Sequence, residues 1–242
     1  METLCGTDAA RQSHTHPGRA QTHGAVVAIC GLHGGAGTTT VAVELASARA
    51  VLAHGRVFLA DAGHVGGLAA HLGQETRVSL ADLADARARG IVPAGSLYAR
   101  DGVTVCAPAA CPAPEPIDMA LRDLLDAARA EQTLTVIDAG SVGSPAFDAA
   151  ELADRVIWVA DARRDLRVAA AVLSSPAASA ARSVRAQGLV LCDPTGDAAA
   201  RPDATPLLSI VSPAVSVSRL HGLAGNAPIR ELAHGLLLEL LR

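Results

Sequence analysis

Short apolar runs, each closed by glycine or an acid and followed by helical periodicity, constrain this chain more than any other feature. AVVAIC (25–30), RVFLA (56–60), VTVCA (103–107), LTVI (134–137), VIWVA (156–160), GLVLC (188–192) and LLSIV (207–211) read as strands. Helical patterns lie between them at 39–54, with Gly55 as C-cap, and at 79–90, with Ser79 as N-cap and Gly90 as stop. Further helices are expected at 117–130, from about Leu166 until Pro176 interrupts it, and at 229–242. Unbroken apolar strands are buried on both faces, and strands alternating with helices need right-handed crossovers. The expected fold is α/β: a single doubly wound, mostly parallel sheet with helices on both faces. Composition agrees, because half the residues are hydrophobic while aromatics are only 2%. Small aliphatic side chains suit helices laid closely over such a sheet.

Residues 1–24 are polar, carry His14, His16 and His23 and show no periodicity, so they read as a disordered tail. Residues 25–242 read as one domain, with Pro-rich 107–116 and 202–206 as loops. The net charge of −4 gives no strong nucleic-acid or membrane signal, although Arg163, Arg164 and Arg167 form a small basic group. No run approaches the roughly 20 apolar residues of a membrane span. The apolar stripe of 229–242 has Arg230 and Arg242 balanced by Glu231 and Glu239, which suits docking on the sheet better than a lipid surface. The five cysteines (Cys5, Cys30, Cys106, Cys111, Cys192) form no CxxC pair and no metal-ligand spacing. An odd count without a signal peptide points to a reducing compartment, hence a cytoplasmic protein. All 20 Lys+Arg residues are arginine. Any mechanism that needs a lysine ammonium from this chain is excluded.

The turn after the first strand carries the chemistry. Gly34, Gly35 and Gly37 let the backbone of Gly31–Thr40 turn its N–H groups inward, and the following helix adds the positive end of its dipole. His33, Gly34, Gly35, Ala36, Gly37, Thr38, Thr39 and Thr40 are the candidate nucleotide-binding residues. Two ligand classes fit in part. Gly35-Ala36-Gly37 begins a dinucleotide fingerprint and Asp61 ends the second strand, but Thr40 stands where the third small residue belongs. A phosphate loop wants Gly, Lys, then Ser or Thr for magnesium; here Gly37 is followed by Thr38 and Thr39, so the hydroxyl is present and the lysine absent.

HGGAGTTTVAVELA (33–46) resembles the deviant Walker A segment of the ParA/MinD family of P-loop ATPases, K-G-G-x-G-K-T-T before a small-residue helix. FLADAGHVGGLAAHLG (58–73) resembles the family's second strand with switch I, TLTVIDAGS (133–141) its Walker B strand, and VIWVADARRDLRVAAAVL (156–173) the strand and helix after it. VSLADLADARARGI (78–91) followed by DGVTVCAPA (101–109) is similar to the pilus-localising TadZ/CpaE subgroup. On this resemblance the signature lysine falls on His33, the P-loop lysine on Thr38, the second switch I acid on Gly63 and an adenine-reading Asn on Cys192. A threonine cannot bridge terminal phosphates or stabilise transition-state charge as lysine does. A protonated His33 would replace part of the missing charge. Under the same family resemblance, Thr39, Asp61 and Asp138 are the implied magnesium ligands, and the two carboxylates the implied catalytic candidates if the site is active.

The resemblance therefore implies ATP or ADP with magnesium, bound weakly or not at all, and little or no hydrolysis. It implies a homodimeric scaffold that positions a secretion, pilus or division machine, recruited to a membrane-associated complex or cell pole by a partner. An active partitioning or septum-placement ATPase is the alternative. A nucleotide-dependent oxidoreductase is the alternative of another class, though Tyr98 has no lysine to pair with.

Overall fold

The apolar runs become the rows of one sheet. The computed structural model describes residues 24–53, 57–62, 67–73, 82, 89, 97–100, 102–107, 117–131, 134–184, 186–193, 205–208, 210 and 216–221. The strands are β1 (Ala25–Gly31), β2 (Val57–Asp61), β3 (Leu97–Arg100), β4 (Val103–Cys106), β5 (Leu134–Ser141), β6 (Arg155–Asp161), β7 (Ala186–Asp193) and β8 (Ser216–His221). Their order across the sheet is β3-β4-β2-β5-β1-β6-β7-β8. Every neighbouring pair is parallel except β3 with β4, an antiparallel edge that turns through Gly102 at φ +83°. Only glycine adopts that conformation without strain.

The helices are α1 (Thr38–Ala53), α2 (Gly67–Leu72), α3 (Ile117–Glu131), α4 (Leu166–Ser174), and the short α5 (Ser179–Arg182) and α6 (Thr205–Leu208). A 3₁₀ helix spans Pro145–Leu152, and another at Pro176–Ala178 follows the break that Pro176 imposes on α4. Alternation along the strands divides the apolar residues between two cores. Val26, Ala28 and Cys30 of β1 face Leu121, Leu125, Leu166 and Leu173 of α3 and α4. Val27 and Ile29 face Val41, Leu45 and Leu68 of α1 and α2. Both faces are covered, as a doubly wound sheet requires.

Three elements differ from the sequence reading. LLSIV (207–211) is not a strand; Thr205–Leu208 is a helical turn with Leu207 buried. Pro206 fixes φ in the first helical turn, and a five-residue apolar run carries no period to decide between helix and strand. The edge strand is β8 instead, whose mixed SVSRLH sequence lacks the apolar density of the inner strands. β3, with the sequence LYAR, was likewise not expected. The tail through residue 23, the helix at 229–242 and, apart from Asp82 and Arg89, the helix at 79–90 lie outside the described residues, as do Gly63 and His64.

One buried polar contact joins the central strands to the helical layer. Trp158 is fully buried, with the Phe147 ring centroid 6.2 Å away, and its Nε1–H donates to Gln187 Oε1 at 2.9 Å. The Gln187 amide donates in turn to the carbonyls of Arg182 (2.7 Å) and Val184 (3.1 Å), which end α5. Gln187→Leu would strand an indole donor and both carbonyls in an apolar interior. The expected loss is about 1–3 kcal/mol, read in urea denaturation by the fluorescence of Trp158, the sole tryptophan.

Candidate nucleotide site

The site lies where β1, β2, β5, β6 and β7 end together. Parallel register sets Asp61 of β2 opposite Asp138 of β5, and Asp161 of β6 opposite Cys192 of β7. Ligands of open α/β sheets bind outside these carboxyl ends. The glycine loop leaves β1 here and is tied on both flanks: Val142 N–H donates to Gly31 O, and Leu32 N–H to Val159 O, each at 2.9 Å. Gly35 (φ +74°) and Gly37 (φ +97°) take the left-handed conformations that turn the loop back onto α1. A Cβ on Gly37 would lie 3.3 Å from Cys192 Sγ, whereas one on Gly34 or Gly35 would meet nothing within 4 Å. The loop's back is packed and its crest is open.

Thr39 and Asp138 meet, one from α1 and the other from β5. Thr39 Oγ1–H donates to Asp138 Oδ2 at 2.5 Å, and Gly140 N–H donates to Oδ1 at 3.2 Å. Burial pushes the Asp138 carboxyl above its ordinary range, while these two donors, and more weakly His71, pull it down. Asp61 is also buried, and its Oδ2 accepts Leu68 N–H at 2.9 Å, which anchors the start of α2. Thr39, Asp138 and Asp61 are thus two carboxylates and a hydroxyl on adjoining elements, the donor set of a hard cation. Among the described residues no three His, Cys, Asp or Glu side chains are placed to hold a metal unaided.

Thr38 and His33 are both turned inward. Thr38 is buried, and its Oγ1 lies 2.5 Å from the point a Cβ on Gly31 would occupy. Its hydroxyl is thereby turned back toward the end of β1. His33 is turned inward as well: its Nε2 accepts Asp161 N–H at 3.2 Å, and its Nδ1 lies 3.1 Å from Gly34 O. An accepting Nε2 leaves the ring proton on Nδ1, so the ring is neutral in this arrangement.

Sequence reasoning passed over Asp161 and set Arg163 in an open basic patch. Arg163, exposed like Arg164 and Arg167, is folded onto Asp161, with Nε–H to Oδ1 at 2.9 Å and Nη2–H to Oδ2 at 2.6 Å. The Asp-Ala-Arg order after an apolar strand was the available signal, because Arg163 N–H also donates to Asp161 in a local turn. His71, unassigned from sequence, lies on α2 close enough to act on Asp138. The three described thiols, Cys30, Cys106 and Cys192, are inert. Burial, with Asp61 and Asp161 respectively as lesser causes, pushes Cys106 and Cys192 up to about 12, and burial raises Cys30 further. None supplies a thiolate near neutral pH.

No protein-family model matches the sequence, and neither does any curated protein. Solved structures do match. The chain superposes with a TM-score of 0.65 on cobyrinic acid a,c-diamide synthase from Mycobacterium smegmatis, crystallised with an ATP analogue and magnesium, at 19% identity over 90% of this chain and 96% of that one. The septum site-determining protein MinD from Pyrococcus horikoshii, complexed with Mg-ADP, gives 0.65 at 15% identity over 88% and 95%. A ParA family ATPase from Chlorobium tepidum gives 0.62 at 15% over 90% and 99%. This chain has the fold of the ParA/MinD-type P-loop ATPases. Among the described residues no helix is long and apolar enough to cross a membrane.

The Arg163 guanidinium holds the Asp161 carboxyl down at about 2. A carboxyl depressed in the folded state contributes stability that is full above the ordinary carboxylate range and is lost as pH falls toward about 2. Asp161→Asn should therefore cost stability at pH 7, roughly 1 kcal/mol after allowing for solvent around the half-exposed Arg163. The difference from wild type should shrink as pH is lowered toward 3. Thermal unfolding at a series of pH values checks both the size and the direction.

Proposed function

We propose that this protein is a ParA/MinD-like nucleotide-binding scaffold of the P-loop class that binds Mg-ATP or Mg-ADP weakly and does not hydrolyse it. The observation that carries this reading is Thr38, buried against Gly31 where a phosphate-bridging lysine would project, in a chain with no lysine to supply from elsewhere. The backbone N–H groups of Gly34–Thr39 need no side chain to meet phosphate oxygens. Thr39 and Asp138, with Asp61 beside them, would hold the magnesium that bridges those phosphates. Magnesium would supply charge neutralisation; this chain's residues would bind and orient, and among the described residues none is placed to stabilise a departing phosphoryl group. The Thr39–Asp138 contact favours a mononucleotide over the dinucleotide of an oxidoreductase, because a hydroxyl paired with a strand-end acid has no role in pyrophosphate cradling.

Loss of one charge-assisted contact weakens binding by about 10- to 150-fold. Thr38→Lys should recover most of that factor for Mg-ATP in titration calorimetry, and Gly37→Val should abolish binding altogether. Wild type should show no turnover above a Thr39→Ala control. Sustained hydrolysis lost on Asp138→Ala would replace this reading with an active ATPase, and binding of NAD(H) alone would replace it with an oxidoreductase.

The scaffold would act as a homodimer in the cytoplasm, positioning a secretion, pilus or division machine at a membrane or pole. Self-association across the loop crest is supported by Gly34 and Gly35, whose side-chain positions face open space and allow two backbones to approach. Gly34→Arg is the cleaner probe, because Gly35 at φ +74° would be strained by any side chain. Sedimentation should show a wild-type dimer and a folded monomeric variant. A monomer at every concentration, with and without nucleotide, would move the scaffold surface elsewhere.

A further inference from the structure

We infer that His33 is a positioning residue: in its neutral form it latches the phosphate loop to the end of β6, so the loop is held in shape without a ligand and is released when the ring is protonated. The imidazole spans two backbone groups of opposite kind. Asp161 N–H, 128 positions away, points its hydrogen at Nε2 (3.2 Å), and Gly34 O faces Nδ1 (3.1 Å). Only the neutral ring with its proton on Nδ1 satisfies both. A proton added to Nε2 would set two N–H groups against each other and forfeit the link to β6.

The latch works beside a backbone bond that reaches only as far as Leu32, whose N–H is held by Val159 O. His33 extends that attachment one residue further, to the start of the glycine turn, where Ala36 N–H donates to His33 O at 3.3 Å. The charged groups around the ring act in opposite directions. The Asp161 carboxylate would attract an imidazolium, but it is already engaged by the Arg163 guanidinium, which would repel one. Cys192, across from Asp161 on β7, stays an uncharged thiol.

This inference rests on the proposed phosphate-loop role for its use, but its test reads the chain without nucleotide, so the two can fail separately. Amide exchange of Asp161 and of Gly34–Gly37 is followed at pH 7.5 and pH 5.0, corrected for intrinsic rates, in wild type, His33→Ala and His33→Gln. In wild type the corrected exchange should rise by about five- to tenfold on acidification, the worth of one hydrogen bond. His33→Ala should show the faster rate at both pH values. His33→Gln, whose side-chain carbonyl can accept Asp161 N–H and does not titrate, should keep protection at both. Nitrogen chemical shifts of the His33 ring should report the Nδ1–H tautomer at pH 7.5. Equal exchange in wild type and His33→Ala, or the same acid response in His33→Gln, would overturn the latch.

Discussion

Two backbone hydrogen bonds, Val142 N–H to Gly31 O and Leu32 N–H to Val159 O, hold the glycine loop between the strands that flank β1. They extend the parallel ladders of β5 and β6 past the last paired residues, so the loop inherits the register of the sheet. Because β5 and β2 are in the same ladder system, Asp138 and Asp61 arrive beside that loop by backbone geometry alone. α1 then begins at Thr38 and delivers Thr39 to Asp138. The site is a consequence of where strands stop, and the helices fill in behind it.

Much of this was legible because strand interiors and strand ends use different chemistry. β1, β2, β5, β6 and β7 are apolar on both sides of the pleat, and Asp61, Asp138, Asp161 and Asp193 mark where they emerge. The glycines of the loop were legible because few other structures need three within four positions. The short helix at Thr205–Leu208 was not, since four or five apolar residues fit either element and only the packing of Leu207 decides. Nor was the orientation of His33. A residue type fixes what a side chain can bond to, but whether a ring turns outward to a phosphate or inward to Asp161 depends on contacts 128 positions away.

The electrostatic character of the site follows from buried acids in a chain with no lysine. Asp61 and Asp138 sit on adjacent strand ends, both nearly inaccessible, and Arg163 is committed to Asp161 on the far side of β1. Burial is costly for a carboxylate. Here that cost is met by a hydroxyl and backbone N–H groups rather than by ammonium groups. Donors of this kind partly offset the charge of a buried carboxylate.

The contact between Gly37 and Cys192 reaches beyond binding into how such a chain can drift. Cys192 Sγ occupies the space a side chain at 37 would need, and Gly37 holds a conformation that only glycine tolerates well. Neither position can therefore change alone toward a larger residue. A bulkier 192 must displace the loop backbone, while a shorter one such as alanine leaves a void behind it. Homologues that place a different residue at 192 should thus carry a shifted loop or a compensating change in β7, and the two positions form one inherited unit despite their separation in the chain.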